Sequence, residues 1–511
     1  MVFISITPEI YLNDLKIFAG GLGVLESDKF YAAGDMDLNY VVLTLLYTDG
    51  YISIDFNNDD VIVKSQSIDK SIFDKLIRED VFKITVANRE VVVQPWIYRY
   101  KKARTVLFEV IEPDDIRRIV SRLYVEDSVE QQFIKYSVLA KSSLYYIQNN
   151  IGIDNVELID LQESLSGLII FMFKNIEKLR LVIHTPGPWG HPVYPVEYLE
   201  REYNVVISDS NKYVNMTEYL LRKLGKANTV SEKQRDVLSK IYPEFSNKFH
   251  AITNGIYLER WMNRELYERY LKQEFTLDVL EKTRGECKNK LNELLSLYKD
   301  IDISDKIVIT WVRRLVKYKR PYFIAKFIEE KRDLNNVVFI VGGKPHPKDI
   351  DGLNYARWFR KLHLKYDNVV YIHDYDVDKA KTIIQASDVF LFTPFSGWEA
   401  CGTSYMKALV NGIPVLSSRD GGVVELVRDF YNGWLFGDDI RSFINIYTDK
   451  RAEIIDENDY REFSSKLLSI FNIYNYNRNC YWSIALNAFR ETPSRVDVRN
   501  VLKKYYLDKT I

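Results

Sequence analysis

KIVITWVRRLVKYKR (306–320) sets a short apolar run directly against a cluster of cations. The run KIVITWV (306–312) reads as a strand, and four more follow it: NVVFIVGG (336–343), NVVYIH (368–373), DVFLFT (388–393) and IPVLSS (413–418). Helix-length segments such as 317–332 and 377–387 separate them. Short apolar strands alternating with such segments predict a parallel, doubly wound sheet. Upstream, VVLTLLY (41–47), VELIDL (156–161), LRLVIHT (179–185) and NVVIS (204–208) repeat the pattern. The opening MVFISITPEIYLNDL reads as the first strand, because it lacks the basic region and small-residue cleavage site of a signal peptide. The expected fold class is therefore α/β: two Rossmann-like domains with a ligand cleft between them, since ligands sit at the carboxyl ends of parallel strands. The join falls near 255–305, where LYERYLKQEF and EKTRGECKNKLNELLSLY read as helices. The expected domains are 1–262 and 263–511, the second ending in a helical, aromatic tail from about residue 440.

Composition narrows the function classes. A chain of 511 residues exceeds what one core supports, and its 47% hydrophobic and 28% charged residues are ordinary for soluble globular protein. No stretch approaches eighteen uninterrupted apolar residues, so a membrane span is not expected. A formal net charge of −1 gives no reason to expect nucleic acid or a membrane surface as partner. Cys287, Cys401 and Cys480 lack metal-ligand spacing and fit a reduced, cytoplasmic setting. The six histidines form no HxxxH pair, and no metal is expected.

Four segments carry chemistry. Gly20-Gly21-Leu22-Gly23 precedes the helical-looking VLESDKFYAAGDM, so the backbone can approach a ligand closely while the helix offers free N–H groups. By itself it reads equally well as a tight strand-to-helix turn. The cluster after KIVITWV holds Arg313, Arg314, Lys317, Lys319 and Arg320, five cations in eight residues. Cations at a helix N-terminus oppose the macrodipole, which points to a bound anion. In EACGTSYMK (399–407), Thr403 or Gly402 can open a helix that Asn411-Gly412 closes. Lys407 shares a face with Thr403 among apolar neighbours, a setting that depresses a lysine pKa and permits Schiff-base chemistry, although a salt-bridged structural lysine fits the local sequence too. His184, leaving the strand LRLVI, stands where a side chain can reach a sugar hydroxyl.

In order, these segments resemble the α-glucan phosphorylases, especially the short archaeal and bacterial forms with a GT-B fold. The family's IYxGGLGVLxGD is matched by Ile17 to Asp28, HTPxPxGHxVxP by His184 to Pro195, and ITNGxxxxxW by Ile252 to Trp261. RRxxxYKR is matched by Arg313 to Arg320, GGKxHP by Gly342 to Pro347, and EASGTSxMKxxxNG by Glu399 to Gly412. The resemblance covers roughly residues 1–435. It implies reversible phosphorolysis of an α-1,4-glucan or maltodextrin to α-glucose 1-phosphate, with Lys407 in a Schiff base to pyridoxal 5′-phosphate. Gly21, Gly402 and Thr403 would hold phosphate groups, with Tyr375 and Arg313 beside the cofactor. Arg314 and Lys319 would clamp the substrate phosphate. His184, Asn254, Glu399, Gly21 and Leu22 would line the glucosyl site. The pattern is compatible with a homo-oligomer.

The chain departs from the pattern at four places. Cys401 replaces a serine, Leu165 and Gln234 replace histidines, and Asp376 follows Tyr375 where many members have arginine. Two other readings stay open: a nucleotide-sugar transferase of the glycogen-synthase kind, and a catalytically silent glucan-binding protein. Against the first, such transferases often carry a ribose-binding glutamate eight residues after the first one, and here that position is Lys407. Against the second, a silent binder needs no phosphate clamp.

Overall fold

The chain, described here by a computed structural model over residues 1–15, 18–58, 60–207, 212–331 and 334–508, divides into two compact units. Unit 1 comprises Met1–Ile52, Ser65–Thr253 and Val498–Ile511; unit 2 comprises Ser53–Lys64 and Asn254–Asp497. The divide at Thr253 lies just before the expected join, and the last segment of the chain belongs to unit 1. Ile17, Ser208 and Arg332, which fall in segments read from the sequence, lie outside the described residues.

Unit 1 is built on seven parallel strands, in the order Phe249–Ala251, Ala227–Thr229, Leu179–Ile183, Val156–Gln162, Val2–Ile6, Tyr40–Leu45 and Ala103–Glu112. The winding reverses between Val2–Ile6 and Val156–Gln162, which lie side by side although far apart in sequence. Every residue of Tyr40–Leu45 is buried, as a strand covered on both faces requires. Beyond Ala103–Glu112 the sheet continues antiparallel through Arg89–Tyr100 to Phe82–Val86. In Phe82–Val86 buried and exposed residues alternate, the pattern of a strand with one wet face. The segment 204–207 is not a strand. Asn204 takes a left-handed conformation (φ 51°) that ends the helix Val196–Tyr203, and Val206 is 88% exposed, with no sheet to cover it.

Unit 2 contains a six-stranded parallel sheet in the order Val369–Ile372, Val337–Gly342, Ile307–Val312, Val389–Phe392, Val415–Ser418 and Gly433–Phe436. This is the 3-2-1-4-5-6 order of a doubly wound fold. Five of the six strands are those read from the sequence; Gly433–Phe436 is additional. Its four residues, GWLF, are too short and too close to a glycine turn to stand out from loop. The helices Pro321–Glu330 and Val377–Ala386 fill the segments expected between strands. Among the described residues no helix is long and apolar enough to cross a membrane.

The returning segment is packed tightly into unit 1. Val498, Val501, Leu502 and Tyr505 are buried. The Arg180 guanidinium lies 4.6 Å over the Tyr505 ring and donates to Asp160, which also accepts from the Tyr506 hydroxyl at 2.6 Å. The tail therefore excludes water from a buried ion pair, and its Arg499 adds a second pairing with Asp35 at 3.3 Å. Deleting Val498–Leu507 exposes the Arg180–Asp160 pair and removes four buried apolar side chains, each contributing about 1.5–3 kcal/mol when fully buried. Calorimetry should show a loss on the order of 10 kcal/mol confined to the unfolding of unit 1.

Candidate active site

The residues singled out from the sequence fall into two sets, one in each unit. In unit 2 the sheet's winding reverses between Ile307–Val312 and Val389–Phe392, so both strand ends leave an open crevice edge. Arg313 continues the first of these strands, and the loop holding Glu399 follows the second. Arg313 Nη2 donates to Glu399 Oε2 at 2.6 Å, and Lys319 Nζ reaches the two carboxylate oxygens at 3.2 and 2.9 Å. Thus Glu399, assigned to sugar by the resemblance, has its carboxylate engaged by two cations. Arg314 is half-buried, hydrogen-bonds the Tyr318 hydroxyl and adds its charge to the cluster. Arg320, by contrast, turns away: its guanidinium is fully buried and pairs with Asp456 and Asp459 at 2.7 Å each.

The electrostatics follow from burial and the surplus of positive charge. Burial pushes the Lys319 ammonium down, the Arg313 charge pushes it further, and Glu399 only partly offsets them, leaving it at about 7. Burial would raise the Glu399 carboxyl, but the Lys319 and Arg313 charges hold it at about 2. Arg313 stacks 3.9 Å above the Phe392 ring, and its Nη1 has no hydrogen-bond partner among the described residues.

Phe392 also explains Gly402. At φ +67° this residue is left-handed, and a Cβ there would lie 2.4 Å from the ring. Thr403 then starts the helix Ser404–Leu409 without a side-chain cap bond, and the Ser404 hydroxyl is buried without a partner among the described residues. One turn on, Lys407 is 8% exposed, with its ammonium 3.6 Å from the centre of the Trp261 ring. Asn411 locks this pair, donating to the carbonyls of Trp261 (2.9 Å) and Lys407 (2.8 Å). The backbone of Asn254 hydrogen-bonds the Cys401 thiol, which burial pushes up. The Tyr375 hydroxyl donates to the Val312 carbonyl at 3.5 Å, next to Arg313. Unit 2 therefore gathers Asn254, Arg313, Lys319, Tyr375, Glu399, Gly402, Thr403 and Lys407 around the ends of its central strands.

Asp420 was not singled out from the sequence. It is fully buried and accepts from three successive amides, those of Gly397 (2.7 Å), Trp398 (3.2 Å) and Glu399 (2.7 Å). Gly421, left-handed at φ +61°, lies where a Cβ would strike the Cys401 carbonyl, and the Gly422 amide donates to that carbonyl at 3.0 Å. The Asp-Gly-Gly turn after IPVLSS thus holds the Glu399 loop in place. That tripeptide, an acid and two glycines ending a buried strand, was the available signal.

Unit 1 holds His184, Gly21 and Leu22. His184 Nε2 is 2.7 Å from Gln162 Oε1, and the Gln162 amide nitrogen donates to Ser5 Oγ at 3.0 Å, which assigns the nearer proton to His184 Nε2. Burial and the Lys29 charge push the imidazole down to about 3, so it is neutral at physiological pH. The helix Gly21–Asp35 begins at Gly20 with no side-chain cap, and nothing lies within 4 Å of a Cβ built at Gly20 or Gly21. Gly23 instead packs on Glu9, whose carboxylate accepts from the Ala19 amide at 2.7 Å. The departures from the family pattern have structural places. Gln234 bonds the Val230 amide and the Ile183 carbonyl, Asp376 caps Val377–Ala386, and Leu165 is core.

The cluster predicts an acid limb. The Glu399 carboxyl is held below its ordinary 4.5, so its contribution is fully present above that value and is lost as pH falls toward about 2. A depression of that size corresponds to about 3 kcal/mol. Denaturant melts of Glu399→Gln should show lower stability at pH 7 and a shallower fall between pH 5 and 2; an unchanged acid limb refutes the assignment.

The family model for glycosyl transferases group 1 matches residues 299–465, which hold Arg313, Lys319, Glu399 and Lys407. A glycogen phosphorylase of Aquifex aeolicus is 26% identical over 92% of this chain and 82% of its own length. A maltodextrin phosphorylase of Thermococcus litoralis is 24% identical over 84% of this chain, which spans 62% of that protein. An uncharacterized protein of Methanocaldococcus jannaschii is 26% identical over 84% of this chain and 86% of its own length. With its parallel α/β sheets and matched transferase domain, the chain is a glycosyltransferase of the GT-B class, related across most of its length to the glycogen and maltodextrin phosphorylases.

Proposed function

We propose that the chain catalyses reversible phosphorolysis of an α-1,4-glucan to α-glucose 1-phosphate, with retention of configuration and with pyridoxal 5′-phosphate at Lys407. The observation that carries this reading is the buried Arg313–Glu399–Lys319 cluster, in which cations outnumber the carboxylate and Arg313 Nη1 still has a proton to donate. A dry site with surplus positive charge and an unused guanidinium donor is suited to a phosphate dianion. The names of the two phosphorylase relatives support the same choice.

The residues present fit the cofactor. Lys407 is a buried amine against an indole ring, and in the five residues before it lie the left-handed Gly402, the Thr403 hydroxyl and the Ser404 hydroxyl, which has no partner among the described residues. When bound, the group supplies a phosphate that can pass a proton to and from the substrate phosphate. Arg314 and Lys319 hold the substrate phosphate. Lys319, pushed down to about 7, takes up a proton as the dianion arrives and so matches its charge to the ligand. His184, neutral at working pH, serves the sugar as a hydrogen-bond partner and not as a counter-ion. Within unit 2, Asn254 and the Glu399 loop offer hydrogen-bonding groups of their own for a sugar. Glu399 keeps the two cations from repelling one another before substrate binds. Retention follows when departing glucan and incoming phosphate use one face of an oxocarbenium-like centre, which the adjacent phosphate stabilises.

The cofactor is tested by borohydride reduction of protein prepared with pyridoxal phosphate. The expected result is a stable adduct on the peptide containing Lys407, absent from Lys407→Ala; an unmodified Lys407 after full loading removes this part of the reading. The reaction is tested with maltodextrin and phosphate in one vessel, and maltodextrin with UDP- or ADP-glucose in another. Glucose 1-phosphate in the first alone is expected. Chain extension in the second alone assigns the site to nucleotide-sugar transfer, and silence in both with glucan still bound makes the protein a binder.

A further inference from the structure

Glu163 occupies a backbone conformation that almost only glycine adopts, at φ +65° and ψ +157°. It directly follows the strand Val156–Gln162, at the point where the unit 1 sheet reverses its winding. Its own amide donates to the Val182 carbonyl at 2.9 Å, which fixes the strained turn against the neighbouring strand. The side chain is 95% buried, at 5% exposure. Oε1 accepts from the Thr185 hydroxyl at 2.5 Å, and the carboxyl also accepts the backbone N–H of His184. Oε2 has no partner among the described residues. Burial pushes the carboxyl up to about 8 against the pull of these two bonds.

Two of these features, the left-handed backbone and the buried Oε2, are unfavourable for stability. A glycine would remove the backbone strain, and an apolar residue would remove the buried oxygen that nothing satisfies. The side chain nevertheless ties down two consecutive residues, His184 and Thr185, at the end of the adjacent strand. A further constraint acts from the other side: a Cβ at Gly190 would lie 2.5 Å from Thr185 Cβ, so the loop after His184 packs directly on the residue Glu163 holds. Strain of this kind persists where the surrounding structure enforces it, and it concentrates at ligand sites.

We propose that Glu163 is a positioning residue for the carbohydrate: its carboxyl sets the His184–Thr185 segment so that a sugar hydroxyl meets a preformed site on unit 1. This rests on the glucan reading above. Glu163 acts through its neighbours, since its own carboxyl is buried beneath them.

Three proteins decide it: wild type, Glu163→Gln and Glu163→Gly. Glu163→Gln keeps the oxygen that ties Thr185 and His184, whereas Glu163→Gly relieves the backbone and removes the tie. Maltodextrin affinity by calorimetry and melting temperature are measured on all three, with KM and kcat where turnover is seen. Glu163→Gly should melt close to wild type yet bind maltodextrin about tenfold more weakly, with KM raised more than kcat is lowered. Glu163→Gln should restore affinity to within about threefold of wild type. Wild-type affinity in Glu163→Gly overturns the proposal. So does a joint loss of melting temperature and binding in both variants, which marks a purely structural residue. Wild-type protein that binds no maltodextrin overturns the glucan reading itself, and that outcome is seen before any variant is compared.

Discussion

A carboxylate taken out of water must be matched by cations that are themselves held in place, and the Glu399 carboxylate imposes that requirement on most of unit 2. Its two partners come from the segment that follows Ile307–Val312, and it comes from the loop that follows Val389–Phe392, so the pairing of those strands sets the distance between them. Asp388, just before the second strand, takes the Val308 amide at 2.8 Å and is itself paired with Arg284 and Lys288. On the far side Asp420 receives three amides of the Glu399 loop. Two further buried carboxylates thus hold the backbone that positions the cluster. Phe392 and Gly402 complete the arrangement, the ring carrying the Arg313 guanidinium on one face and leaving room for glycine alone at its edge.

Much of this was legible in the sequence, for a physical reason. Strands buried on both faces read as uninterrupted apolar runs, so KIVITWV, NVVFIVGG and DVFLFT stood out, the cations were found by their position after such a run, and the glycine-threonine pair by opening a helix that leads into the strand IPVLSS. What stayed hidden was of three kinds. Gly433–Phe436 is too short to separate from a turn, and NVVIS has the composition of a strand but follows a helix whose left-handed end points it into solvent. The antiparallel continuation of unit 1 carries alternating burial, a weaker signal than a solid apolar run. Finally, pairings between distant residues, such as Asp420 with Glu399 or Trp261 with Lys407, have no local signature at all.

The two units carry different groups at the edges where ligand is proposed to bind. Unit 2 uses charge against charge, with aromatic rings excluding water. Unit 1 uses neutral groups: a histidine held uncharged, a glutamine whose amide direction is set by Ser5, and a pair of glycines with open space where side chains would be. That contrast agrees with the chemistry proposed for each, since an anion is recognised by compensating charge and a hydroxyl-rich ligand by directional hydrogen bonds.

The chain passes from one unit to the other four times, at Ile52, Lys64, Thr253 and Asp497. The last passage has a consequence for synthesis. A ribosome that has released residues up to Thr253 has made nearly all of unit 1, yet the Arg180–Asp160 pair still lacks the tyrosines that cover it. Those arrive only after the whole of unit 2 has emerged. The first unit to be translated is therefore the last to be sealed, and while unit 2 is being made the nascent protein carries a finished sheet with an open flank.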